Sequence, residues 1–113
     1  MPPEISNIIN RLNQELTEIE AKATRGLNIL RPLLEMFPNN DIMVQFYIYL
    51  NNSLFLVEIY QRRIQATVEL LSVDNLGEEV IQEQGQDLGD LLGRAIESKI
   101  GVERIIRRLE NLQ

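Results

Sequence analysis

Any chemistry in this chain would fall to carboxylates, Tyr, Ser or Lys, because it contains neither His nor Cys. That composition excludes disulfides, a cysteine nucleophile, histidine acid–base catalysis and the usual zinc sites. Glu15, Glu18 and Glu20 are close enough to share one helix. A carboxylate di-metal site in a bundle would need Glu-x-x-His on two helices, so neither a metal nor a cofactor is expected. Glu18 and Lys22 stand at the favourable i,i+4 spacing, which predicts a solvated, ion-paired face. No nucleophile has a base beside it at a spacing the sequence can reveal, so the chain is expected not to be an enzyme.

Five glycines, Gly77, Gly85, Gly89, Gly93 and Gly101, fall in one i+4 series. They lack the G-x-G-x-x-G fingerprint and a following Lys-Ser or Lys-Thr, so a phosphate cradle is not expected. A glycine inside a helix costs about 1 kcal/mol relative to alanine, and Gly85, Gly89 and Gly93 stand at consecutive turns. Two explanations are open. Either residues 73–85 are partly irregular and the helix starts properly near Asp87, or the glycines form a groove where a helix, or a ring from the second helix, comes close.

Arg104, Arg107 and Arg108 cluster near the C-terminal end. Glu103 can pair with Arg107 at i+4. Arg104 and Arg108 have no acid three or four residues away, leaving a basic patch free for a partner or for Glu35 and Asp41 across the bundle end. A nucleic-acid-associated accessory role would use this patch. It would work against a formal charge of −6, from 11 basic and 17 acidic residues, and no aromatic is interleaved with it. Nucleic acid is therefore the alternative partner, not the leading one.

These groups must be positioned by three segments. Pro38-Asn39-Asn40-Asp41 reads as a turn leading into a helix cap, and Ser72-Val73-Asp74-Asn75 as a second turn, with Asn75 and Glu78 spaced as a capping box. The segments, about 3–36, 41–72 and 76–112, all repeat apolar residues at alternating steps of three and four. The first seam runs Ile9, Leu12, Leu16, Ile19, Ala23, Gly26, Leu30, Leu33. The second runs Phe46, Leu50, Ser53, Val57, Tyr60, Ile64, Thr67, Leu71, and the third runs from Ile81 through Gln84, Leu88, Leu91, Ala95, Ser98, Val102, Ile105 and Leu109 to Leu112. This periodicity predicts an all-α, antiparallel up-down bundle of three long helices, one domain over 1–113, with coiled-coil-like packing. Pro32 predicts a kink or an early end of the first helix, because it lacks an N–H and crowds the preceding turn. Ser53, Thr67, Gln84 and Ser98 interrupt the seams as register-setting groups. The same register would bring Arg62 and Arg63 level with Glu83 and Asp87.

The second helix has more apolar surface than one core can use. Val44, Ile48, Phe55 and Ile59 form a second stripe nearly opposite its seam, and all six aromatics lie between Phe37 and Tyr60. A helix apolar all round belongs inside a core. Either the other two helices wrap it, or a protein partner does. Polar Gln45, Asn51, Asn52, Ser53 and Glu58 argue against a membrane span, and the N-terminus has no secretory pattern. The expectation is a cytoplasmic, non-catalytic protein–protein interaction module, binding through helix surfaces and using Val44, Ile48, Phe55 and Ile59 to assemble as a homodimer or as a subunit of a larger assembly.

Overall fold

A computed structural model describes residues 1–112. Three helices follow one another: α1 (Pro3–Met36), α2 (Asp41–Leu71) and α3 (Glu78–Asn111). They form a three-helix bundle drawn out to 59 × 19 × 17 Å. The short turns leave sequential helices no choice but to run antiparallel.

The ends of the helices follow from local chemistry. Pro3 takes the first position of α1, where a missing N–H is harmless. Asn40 caps α2 as expected, its side-chain oxygen accepting a bond from the Met43 N–H at 3.1 Å. The second turn differs from expectation. Asn75 does not cap α3 but adopts φ 64°, a left-handed conformation that Asn tolerates better than most residues. The cap is Gly77, without a side-chain bond, and α3 is helical from Glu78. The helix therefore starts well before Asp87.

Pro32 does not end α1, which continues to Met36. The proline removes only one donor, and the residue whose carbonyl it would have served, Asn28, is exposed to water. Leu33 and Leu34 beyond it pack on the core, and the Phe37 N–H closes the end onto the Leu33 carbonyl at 2.9 Å.

Most seam residues are buried, while Leu33, Phe46, Tyr60, Ile81 and Gln84 are half-buried and Leu112, at the end of the third seam, is exposed. Leu12, Leu16, Ile19, Leu27 and Leu30 of α1, Leu50 and Val57 of α2, and Leu88, Val102 and Leu109 of α3 have almost no accessible surface. The core has two lobes along the long axis. One contains Leu12, Leu16, Val57, Ile64, Leu88 and Leu91, and the other Leu27, Leu30, Leu50, Val102 and Leu109. Where they meet, Ser98 donates to Ser53 at 3.3 Å and Ser53 donates to the Tyr49 carbonyl at 3.0 Å. Fourteen residues from that pair on each helix, Thr67 donates to Gln84 at 3.3 Å. One antiparallel α2–α3 register thus satisfies both polar pairs, as register-setting groups should. Both α2 and α3 pack mainly on α1 and meet each other least.

Candidate functional site

The bundle geometry decides which face of α2 is left over. Its seam points at α1 and α3, so the stripe nearly opposite points outward. Val44 is 37%, Ile48 52%, Phe55 62% and Ile59 53% exposed. Only 22% of the most apolar window of α2 is buried, although by length and composition the helix could cross a membrane. The other two helices do not wrap it. Phe37, at the α1–α2 turn, adds a further exposed ring at that end of the molecule.

The glycine series behaves differently from the close-approach expectation. A Cβ added to Gly89 or Gly93 meets nothing within 4 Å, and one at Gly85 makes only an ordinary 3.8 Å contact with Ile5. Gly89 and Gly93 face outward within this chain, because the series runs beside the α3 seam, and Gly85 is half-buried without being crowded. The approach of a ring from α2 does occur, but further along the series: the Tyr49 ring lies against Gly101, where a Cβ would overlap it. The other tight site is on a seam. At Gly26, a Cβ would come within 2.9 Å of Leu50 and 3.5 Å of Ile106.

Among the described residues the ion pairs form across helices, not along them. Glu18 accepts from Lys99 at 3.1 Å, while Lys22 reaches Glu103 at 3.1 Å. Neither the Glu18–Lys22 nor the Glu103–Arg107 local pair forms, because a facing helix offers the opposite charge. Arg25 pairs with Glu110 at 2.9 Å. Lys99 also stands 2.6 Å from Glu15, whose Oε2 is withdrawn from solvent. Contact with Glu15 first, and then with Glu18, holds the Lys99 amine above its ordinary value. These carboxylates are spent on structure.

Arg104, Arg107 and Arg108 are all exposed. Arg108 does not pair with Glu35 or Asp41. Its guanidinium lies over the Phe46 ring, 5.5 Å from the centroid, a cation–π contact that ties the end of α3 to the start of α2. Arg107 lines a groove of about 310 Å³ with Lys22, Arg25, Glu103 and Glu110, so acids stand within the basic cluster. Arg62 and Arg63 form no ion pair with Glu83 or Asp87 among the described residues. Among those residues, no group of three or more Asp or Glu is arranged to hold a metal.

No family model, curated protein or solved structure matches this chain. The outward stripe of α2 is an apolar face that its own chain leaves uncovered.

Proposed function

We propose that the chain is a non-catalytic interaction module that assembles through the outer face of α2, with its own copies as the first partner. The observation that carries this is the exposure of Val44, Ile48, Phe55 and Ile59 on a helix whose opposite face is already packed. Large contiguous apolar patches on soluble chains mark interfaces, and twofold pairing is the commonest assembly. The lack of His and Cys in the sequence, and the engagement of Glu15 and Glu18 by Lys99, support the non-catalytic reading. Lipid is a poorer match for the stripe than protein. Asn51 and Asn52 sit at its middle, where a bilayer would have to desolvate them, and the net charge of −6 is repelled by anionic membrane surfaces.

Light scattering over a concentration series tests this. The unmodified chain should be dimeric or larger, and Ile48→Glu with Phe55→Lys should return it to a monomer with unchanged helix content. Because both positions are exposed, the substitutions leave the core intact. A chain that stays monomeric at tens of micromolar, about the range where weak dimers begin to fail, would refute self-association.

A further inference from the structure

The outward stripe of α2 mirrors itself about its own midpoint. Counting outward from the Asn51–Asn52 pair, Ile48 and Phe55 lie three residues away, Val44 and Ile59 seven, and Asp41 and Arg62 ten. Each apolar residue has an apolar counterpart, and the acid has a base. All six of these counterparts are exposed. Asp41, Ile48, Phe55 and Arg62 are spaced seven apart, so they form one line along the helix at about 3.5 residues per turn. Val44 and Asn51 run along one side of that line, and Asn52 and Ile59 along the other. Among the described residues, neither Asp41 nor Arg62 has an ion-pair partner in its own chain.

We propose that α2 pairs antiparallel with α2 of a second copy, about a twofold axis passing between Asn51 and Asn52. This rests on the self-association proposed above and adds its direction and register. Ile48 then lies level with Phe55 of the second copy, Val44 with its Ile59, and Asp41 with its Arg62, each pair occurring twice. Parallel pairing would instead set Asp41 against Asp41 and Arg62 against Arg62. A twofold axis uses one surface as both halves of the interface and so requires this mirror relation. An unrelated partner would require no such relation. The 3.5-residue spacing suits two helices in a left-handed pair. Near the axis, each Asn52 faces its own symmetry mate, and polar Asn at such a seam fixes register. The strip from Asp41 to Arg62 is roughly 32 Å long at 1.5 Å per residue, on a bundle 17–19 Å wide.

The absence of cysteine makes the register directly testable. Mild oxidation should convert Asn52→Cys to a covalent dimer, because the two sulfurs meet at the axis. Val44→Cys should not link to itself, since the two copies of residue 44 are separated by roughly 22 Å along the pair. Mixed with Ile59→Cys, it should give a cross-linked heterodimer. Asp41→Arg and Arg62→Asp should each weaken association several-fold, measured by light scattering, and the double variant should restore it. If the unmodified chain is dimeric but Val44→Cys links to itself as readily as Asn52→Cys, the antiparallel register is wrong while self-association stands. Single charge swaps that leave association unchanged would likewise overturn the register alone. If the unmodified chain is monomeric and no variant links, or if it stays monomeric and binds phosphatidylcholine vesicles instead, both the register and self-association fall.

Discussion

At the scale of single residues, the decisive quantity is what each small or charged group meets across a helix boundary. Gly89 and Gly93 meet nothing within 4 Å, so replacing either with Ala adds helix propensity without a clash. Each substitution should stabilise by up to about 1 kcal/mol, seen as a rise of a few degrees in Tm. Gly26→Ala should do the opposite. The new Cβ would lie 2.9 Å from a Leu50 methyl that is itself fully enclosed, and overpacking costs about 1–3 kcal/mol. A melting series in which Gly26→Ala stabilises as much as Gly89→Ala would contradict this packing. Lys99 supplies the second prediction. Its removal as Lys99→Met strands Glu15, and should cost about 1–2 kcal/mol, less than the roughly 3–5 of a fully buried pair because about a fifth of each side chain remains exposed. The sign of the pH dependence follows from the raised amine value. Its contribution is fully present below the unfolded-state value of about 10.4 and is lost as pH rises through the folded-state value. The stability gap between the unmodified chain and Lys99→Met should therefore hold steady at neutral pH and narrow above about pH 10.4.

At the scale of elements, α2 is the helix with two characters. Its seam and its outer stripe are similarly apolar in sequence, yet Leu50 is fully enclosed while Phe55 is 62% exposed. Leu50→Ala should cost on the order of 2–5 kcal/mol, as should truncation of Leu16, Ile19, Val57, Leu91 or Leu109. Phe55→Ala should leave the unfolding free energy of the dilute, dissociated chain within about 0.5 kcal/mol. Denaturant titrations at low protein concentration separate the two. The seams themselves were legible from spacing, including the polar Ser53, Thr67, Gln84 and Ser98, because a residue at each turn must share a face whatever the neighbours are. The run of α1 past Pro32 was not legible. It depends on Leu33 and Leu34 finding a core and on Asn28 staying at the surface, and both are set by the other helices.

At the scale of the whole molecule, a 59 Å rod one helix pair thick has too little interior for every apolar face it carries. Two faces of α1 are consumed by α2 and α3, and one face of α2 remains. If association uses that face, stability must depend on concentration, because a partner that binds only the folded state raises its apparent stability by mass action. The Tm should rise with protein concentration for the unmodified chain and stay flat for Ile48→Glu with Phe55→Lys. Differential scanning calorimetry over a concentration series checks this, and a flat Tm for both would count against assembly.

Helix positions, the turn at Asn40 and most of the seam residues were legible in the sequence alone, since hydrophobic periodicity and capping are local properties of the chain, whereas Leu27, Met43, Leu92 and Ile106 are buried off the seams by their neighbours. The charged pairings were not, because a guanidinium or ammonium takes the nearest acid in space. Lys22 and Lys99 found theirs 81 residues away. Nor could spacing say which glycine of the i+4 series is crowded, since Gly89 and Gly101 look alike until a neighbouring helix is placed beside them. Above all, spacing assigned the Leu50 face of α2 to the core, but only the tertiary structure decided whether α1 and α3 also wrap the opposite face or leave it to solvent. Both have the same period, and the choice is made by where α1 and α3 lie.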